Sequence, residues 1–159
     1  LVVDADALNL LALDPAKRND WILTPHPKEA ARLLATDVHT VQADRFAVVR
    51  ALCDRYGGVC VLKGSGTLIA GTATTAIALC DRGNPGLASG GTGDVLTGII
   101  AALLAQGLAP FDAARLGVWL HAVAGDDAVA AAGEIGFMAG DLSPLVRSRL
   151  NRLASDVGA

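Results

Sequence analysis

Short apolar runs separated by turn-forming residues predict the strands of this chain. Three runs have the length of buried strands, namely Leu1–Val3, Trp21–Leu23 and Val59–Leu62. The turn at residues 63–66 then leads into two shorter runs, 67–70 and 76–80, which predict a small hairpin.

Longer stretches predict helices over residues 27–34, 40–56, 94–106, 110–132 and 142–153, and residues 4–13 predict a turn into a helix. Pro27 suits a first helical position, and Glu29 favours the positive helix end. The 40–56 helix places Val41, Phe46, Val49 and Leu52 near one face. The 94–106 helix carries an apolar face, and the last helix turns Arg147, Arg149 and Arg152 toward solvent. The order of strands and helices predicts an α/β sandwich.

Composition agrees with one globular domain over residues 1–159, because 52% of the residues are hydrophobic and 18% are charged. A net charge of −3 without a basic stripe argues against nucleic acid as a partner. The longest apolar stretches are interrupted by Gly or Asp and fall short of a membrane span. We expect no signal peptide, and the opening strand suggests that earlier strands lie upstream.

The three cysteines, Cys53, Cys60 and Cys80, have apolar neighbours. Neither a CxxC pair nor a Cys/His pair stands at metal-ligand spacing. We therefore expect buried, reduced thiols, as in a cytosolic protein.

A glycine-rich turn before an apolar helix is the most informative segment. Gly90, Gly91 and Gly93 allow positive φ and let backbone N–H groups converge at the start of the helix. Such a helix start binds anions. Asp94 would repel a phosphate there, so its natural task is to accept a proton from a substrate hydroxyl that attacks phosphorus. The alternative is that Ser89 or Asp94 only caps the helix.

The turn differs from two common nucleotide motifs. No Lys-Ser/Thr pair follows the glycines, as a Walker loop requires, and the third glycine of a dinucleotide fingerprint is missing. The pattern Gly-Gly-x-Gly-Asp of residues 90–94 resembles that of ribokinase-like phosphoryl-transfer enzymes.

Two other segments are candidates for the same chemistry. Lys63 ends a strand before a flexible turn, where it could neutralise phosphate or remain an ordinary solvated lysine. His26 follows another strand and either faces a ligand beyond the strand end or only begins a helix. Asp4 and Asp6 reach the same crevice or serve as turn and cap residues. His39 and His121 have no partner at useful spacing and are predicted to be structural.

Together, residues 2–9, 24–32, 63–67 and 84–94 resemble the ADP-dependent NAD(P)H-hydrate dehydratases, a carbohydrate-kinase-like family with a ribokinase-like three-layer α/β/α fold. The resemblance implies that the 6S hydrate of NADH or NADPH is dehydrated as ADP is cleaved to AMP and phosphate. The ring hydroxyl would be phosphorylated first and then expelled as phosphate. ATP could replace ADP, and Mg²⁺ would accompany the phosphates.

The resemblance also implies roles for individual residues. Asp94 would be catalytic and would contact the substrate hydroxyl. The residues that would bind the hydrated dinucleotide, besides Asp94, are His26, Pro27, Lys28, Glu29, Ala30, Ala31 and Arg32. The residues that would bind ADP are Lys63, Gly64, Ser65, Gly66, Thr67, Asn84, Pro85, Gly86, Leu87, Ala88, Ser89, Gly90, Gly91, Thr92 and Gly93.

Family members carry further strands and a glycine-containing substrate region before the segment matching Leu1, so we expect the chain to be a C-terminal portion of the domain. Lys28 stands where the family often has glycine. An epimerase domain is often fused to the family. We also expect a homo-oligomer, although the alanine-rich faces of residues 110–132 could pack within one subunit.

Two other functions stay open at this point. One is a small-molecule kinase acting on a vitamin-precursor alcohol, and the other is a nucleotide-binding module without turnover. The segment from His26 to Glu29 favours the dehydratase over the kinase, and Asp94 argues against a pure binding module.

Overall fold

The computed structural model describes residues 1–157, with side chains through residue 155. The five strands are β1 (Val2–Val3), β2 (Ile22–Leu23), β3 (Val59–Leu62), β4 (Thr67–Gly71) and β5 (Thr74–Cys80). The helices are α1 (Asp6–Leu13), α2 (Pro27–Leu33), α3 (Val38–Ala43), α4 (Arg45–Tyr56), α5 (Thr92–Ala105), α6 (Pro110–Ala132) and α7 (Leu142–Val157). Two 3-10 helices lie at Pro85–Ala88 and Ala139–Asp141.

The strands form one mixed sheet in the order β1-β2-β3-β4-β5. The first three strands are parallel, and β3, β4 and β5 are joined as antiparallel neighbours. The predicted hairpin is therefore confirmed, with Thr67 opposite Cys80 at its open end. Parallel pairing places the carboxyl ends of β1, β2 and β3 at one edge of the sheet.

Helices cover both faces of this sheet and give it three layers. One core cluster joins the sheet to α1, α2, α3 and α4, and a second joins it to α5 and α6. A third cluster lies among α5, α6 and α7. The predicted α/β/α sandwich is confirmed, and the buried faces of α6 pack within the chain. In the part of the chain that is described, no helix is long and apolar enough to cross a membrane.

The prediction of a single helix over residues 40–56 is wrong. The backbone leaves helical geometry at Asp44, whose carboxylate accepts a hydrogen bond from the N–H of Ala47 and begins α4. Asp37 caps α3 in the same way through Thr40. Phe46, in the first turn of α4, is 52% exposed rather than buried, whereas Val49 is buried.

Three smaller predictions also need correction. The helix expected from residue 94 begins at Thr92, and the one expected to end at residue 153 continues to Val157. Arg149 is only half-exposed, since it forms an ion pair with Asp127 of α6 at 2.5 Å. The last two residues of the predicted domain, 158 and 159, lie outside the described part.

Candidate functional site

The loop that precedes α5 is built by local hydrogen bonds. Asn84 begins the 3-10 helix, because its side-chain oxygen accepts the Gly86 N–H at 3.0 Å. The buried hydroxyl of Thr92, at the start of α5, lies 2.7 Å from the carbonyl of Leu87 and 2.9 Å from that of Ser89. These contacts hold the turn compactly against the first turn of the helix.

Only one of the three glycines of the turn has the predicted backbone freedom. Gly91 has φ +87°, whereas Gly90 and Gly93 are outside the left-handed region. Gly93 is already helical, and its lack of a side chain leaves space for Lys63 and Asp4. A Cβ there would lie 3.5 Å from Nζ of Lys63 and 3.7 Å from a carboxylate oxygen of Asp4.

The backbone N–H groups around this turn are available to a ligand. Those of Gly90, Gly91, Gly93 and Asp94 have no hydrogen-bond acceptor among residues 1–157, while the N–H of Thr92 makes a long bond of 3.4 Å. The first N–H groups of a helix carry its positive dipole end. The start of α5 is therefore a candidate anion site.

Asp94 occupies the third position of α5, and its side chain is exposed. It forms neither a hydrogen bond nor an ion pair with the side chains described. Thr97 lies one turn further along, on the same helix face, and donates to Asp4. Asp94 is thus on the side of α5 that faces the carboxyl ends of β1 and β3.

Lys63 follows β3 and forms an ion pair with Asp4, which follows β1, at 2.8 Å. Its side chain is only 19% exposed, so it is not an ordinary solvated lysine. Burial alone would raise the pKa of Asp4, but the hydrogen bond and charge of Lys63, with the Thr97 hydroxyl, lower it. Asp4 therefore remains a carboxylate at neutral pH.

The turn after Lys63 is supported by an arginine that the sequence did not point to. Arg45, the first residue of α4, donates from its guanidinium to the carbonyls of Leu62, Lys63 and Ser65. Burial lowers the pKa of Arg45. Three carbonyls around one guanidinium hold this loop in a fixed shape.

The segment after β2 confirms the helix-start interpretation of His26. Its Nδ1 accepts the N–H groups of Lys28 and Glu29 at 3.1 and 3.2 Å, and the Glu29 carboxylate accepts the His26 N–H at 2.8 Å. The His26 imidazole is 47% exposed and is therefore still accessible to a ligand. Its contact with a ligand stays a prediction. The N–H of Lys63 donates to the carbonyl of Pro25 at 2.9 Å, which joins this segment to the next strand end.

Helix α6 lies beneath the turn. His121 is buried there, with Nε2 2.9 Å from the carbonyl of Thr92, and Asp126 accepts the Gly83 N–H and the Asn84 side-chain amide. Burial, together with the nearby charge of Lys63, lowers the pKa of His121 against the opposing effect of its hydrogen bond. Neither residue has a local sequence signal, because both lie within an alanine-rich helix.

The structure thus brings Lys63, Gly93 and Asp94 to one edge of the sheet, beside Asp4, a predicted crevice residue, and its unpredicted partner Thr97. Between the His26–Arg32 segment and the Gly-rich turn, no hydrogen bond or ion pair occurs within residues 1–157. The same residues contain no cluster of three or more His, Cys, Asp or Glu side chains that could hold a metal ion.

Solved structures with this fold identify its class. A ribokinase-like superfamily protein from Enterococcus faecalis superposes with a TM-score of 0.83, at 28% identity, over 96% of this chain and 52% of that one. The fold and this likeness define the chain as a ribokinase-like α/β protein.

Sequence comparison narrows this class to a family. The family model described as NAD(P)H-hydrate dehydratase matches residues 1–146. A bifunctional NAD(P)H-hydrate repair enzyme from Vibrio cholerae is 56% identical over 94% of this chain and 30% of its own length. An ADP-dependent (S)-NAD(P)H-hydrate dehydratase from Neisseria meningitidis is 48% identical over 99% of this chain and 55% of its own. The chain belongs to the NAD(P)H-hydrate dehydratase family.

A solved member of the family gives the same picture. The ADP/ATP-dependent NAD(P)H-hydrate dehydratase from Bacillus subtilis, co-crystallised with ATP and Mg²⁺, has a TM-score of 0.83 and 32% identity over 95% of this chain and 54% of that one. This chain spans between 30% and 55% of the length of these relatives.

Proposed function

We propose that the protein restores NADH and NADPH from their 6S hydrates in a reaction that cleaves ADP to AMP and phosphate. The observation that carries this proposal is the start of α5, where unpaired backbone N–H groups and the exposed Asp94 occupy the same turn. The names of the Vibrio, Neisseria and Bacillus relatives support the choice of substrate and nucleotide.

The turn and the Lys63–Thr67 loop would hold the nucleotide phosphates. The free N–H groups of the turn and the Lys63 ammonium would supply positive potential within a rigid frame, so little reorganisation would accompany the reaction. The His26–Arg32 segment would contact the hydrated dinucleotide at the adjacent strand end, as open α/β sheets bind ligands there.

Asp94 would accept the proton of the ring hydroxyl as its oxygen attacks the β-phosphorus of ADP and AMP departs. In the second step, the C–O bond breaks and phosphate leaves with its electron pair. Loss of a proton from the neighbouring carbon restores the ring double bond.

Mg²⁺ would neutralise charge on the transferred phosphoryl group. Its ligands would come mainly from phosphate oxygens and water, since Mg²⁺ commonly binds through one or two carboxylates plus substrate phosphates.

A homo-oligomer stays a prediction, as does a fused epimerase domain, although the Vibrio relative is named bifunctional. The cytosolic location also stays a prediction, supported by three cysteines that are all buried and free.

The proposal is tested by incubating the protein with hydrated NADH and ADP, ATP or no nucleotide, and by following the return of NADH absorbance. We expect recovery only with nucleotide. Asp94→Asn should reduce the rate by about 10²- to 10⁴-fold, the usual contribution of a positioned general base. ADP affinity should be retained, because the substitution leaves the backbone N–H groups in place.

Asp112→Asn is a matched control, since Asp112 is also an exposed acid at the third position of its helix, α6. Its NADH recovery should equal that of the unmodified protein. Undiminished recovery in Asp94→Asn would contradict the proposed base. Phosphorylation of a thiazole or pyrimidine alcohol without NADH recovery would indicate the kinase, and nucleotide-dependent thermal stabilisation without turnover would indicate a binding module.

A further inference from the structure

Asp4 joins three elements that are far apart in sequence. One of its carboxylate oxygens accepts Lys63 Nζ after β3 at 2.8 Å, and the other accepts the Thr97 hydroxyl of α5 at 2.9 Å. The Asp4 side chain is only 8% exposed. Both oxygens are therefore occupied, which fixes the orientation of the carboxylate.

The backbone next to Asp4 is strained. Ala5 has φ +49° and ψ −122°, a conformation that residues with a Cβ rarely adopt. Such strain persists only where surrounding contacts impose it, and it is concentrated at functional positions. The sharp turn at Ala5 ends β1 and begins α1 directly after the paired carboxylate.

The position of Lys63 indicates what this pair is for. Its ammonium has three N–H donors, and within the described residues one is used by Asp4. Nζ also lies 3.5 Å from the site that a Cβ on Gly93 would occupy. The remaining donors are thus beside the first turn of α5, next to the free backbone N–H groups.

We propose that Asp4 is a positioning residue, which holds the Lys63 ammonium and the first turns of α5 at a fixed separation for phosphoryl transfer. This inference rests on the proposed function for its catalytic consequence. Asp4 acts through Lys63, and its negative charge opposes the binding of a phosphate. The carboxylate therefore contributes to the rate through geometry rather than to affinity through charge.

The proposal predicts a specific division between rate and affinity. Asp4→Asn removes the negative charge and loosens Lys63, so kcat should fall by about 10- to 100-fold, the size of effect that a displacement of about 1 Å produces. ADP affinity, measured by calorimetry without the hydrate, should stay the same or increase. If Asp4 only stabilised the fold, kcat and ADP affinity would fall together.

A double-mutant cycle tests whether Asp4 acts through Lys63. In a Lys63→Met background, Asp4→Asn should change kcat by less than about twofold. An equal fall in kcat on Asp4→Asn in both backgrounds would overturn the proposal.

Thr97→Val removes one contact of Asp4 while keeping the side-chain volume, and it should give a smaller loss of kcat with unchanged ADP affinity. A loss of ADP affinity in Thr97→Val would also overturn it.

A second measurement is independent of turnover. The three lysines of the chain are Lys17, Lys28 and Lys63. Brief acetylation followed by mass spectrometry should modify Lys63 slowly in the unmodified protein and faster in Asp4→Asn. The acetylation rate of the exposed Lys28 should be the same in both proteins. Equal Lys63 rates would overturn the positioning role. Absence of dehydration by the unmodified protein would contradict the proposed function, and the acetylation result would still decide the placement of Lys63.

Discussion

At the scale of single residues, two alanines have positive φ for different reasons. Ala5 lies beside the paired Asp4, whereas Ala35 has φ +54° in the exposed turn that ends α2. There the Thr36 N–H donates to the carbonyl of Ala31 at 2.9 Å, a hydrogen bond typical of a helix C-terminus that glycine usually completes. Ala35 is thus strained without any contact to the candidate site.

Ala35→Gly should stabilise the protein. Glycine adopts positive φ without the Cβ cost of about 1–2 kcal/mol, and part of this gain is offset by the greater freedom of glycine in the unfolded chain. The free energy of unfolding, from urea titration, should rise by about 0.5–1 kcal/mol. Ala101→Gly, at an exposed position inside α5, should lower it by a similar amount. A decrease in Ala35→Gly would show that the residue is not strained.

Residues also differ in how far their roles could be predicted. The Gly-rich turn and Asp94 were recognisable because they are consecutive in the chain and precede an apolar helix. Asp4 and Thr97 are 93 positions apart, and Thr97 lies in an ordinary helical pattern. Their contact arises only when the sheet edge and α5 meet, so the sequence could suggest Asp4 as a crevice residue but could not identify its partners.

At the scale of elements, α6 packs against the loop of residues 83–92 that precedes α5 and holds both of its ends. Gly117 admits Ile100 of α5, because a Cβ there would lie 2.7 Å from Ile100 Cγ1. Gly125 admits Leu87 in the same way, with a distance of 2.8 Å to Leu87 Cδ2. His121 and Asp126 then bind the two ends of the loop. The small residues of α6 thus serve close packing within the chain.

Adjacent acids on α6 provide a test of this support. Asp126 binds Gly83 and Asn84, whereas its neighbour Asp127 pairs with Arg149 of α7. Asp126→Ala frees the start of the loop, and ADP binding should weaken by about 5- to 10-fold, corresponding to the loss of one or two hydrogen bonds of about 0.5–1.5 kcal/mol each. Calorimetric titration with ADP measures this change.

Asp127→Ala is the control for that experiment. The Arg149 hydrogen bond, outweighing partial burial, lowers the pKa of Asp127, so this half-exposed pair stabilises the folded protein modestly at neutral pH. The variant should lose a little stability and keep its ADP affinity. Equal weakening of ADP binding in both variants would show that α6 as a whole, rather than Asp126, determines the loop.

The break between α3 and α4 shows why element boundaries are difficult to predict from an apolar period alone. Val41 and Val49 are both buried, so the period continues across the break at Asp44. The interruption comes from a polar side chain that caps the next helix, and Asp37 does the same for α3. Residue 45 thereby begins a helix, which places the Arg45 guanidinium under the Lys63–Thr67 loop.

At the scale of the whole molecule, the alternation of strands and helices was sufficient to predict the layers. Parallel order in β1, β2 and β3 brings residues from three chain segments that are distant in sequence to one edge of the sheet. Residues that act through tertiary contacts, such as His121, are visible only after this assembly. Apolar patterns define a fold more completely than they define the polar contacts within it.

The three buried cysteines can be used to measure local and global unfolding of the protein. Cys53 and Cys60 lie in the core cluster that joins α4 to the sheet, whereas Cys80 ends β5, the edge strand next to β4. Burial raises the pKa of all three thiols, to about 11 for Cys53. Because the thiolate is the reactive form, each should be nearly inert in the folded protein at pH 8.

We therefore expect iodoacetamide to label Cys80 first, through local separation of β5, and Cys53 and Cys60 later at one common rate set by global unfolding. Mass spectrometry of peptides from a time course would measure the three rates, and labelling in urea would establish that each thiol reacts fully once exposed. Moderate urea should accelerate Cys53 and Cys60 more than Cys80, since global unfolding exposes more surface than opening of one strand. Labelling of Cys60 as fast as Cys80 would mean that β3, which carries Lys63 at its end, separates from the sheet as readily as the edge strand. A rigid frame for the anion site would then be excluded.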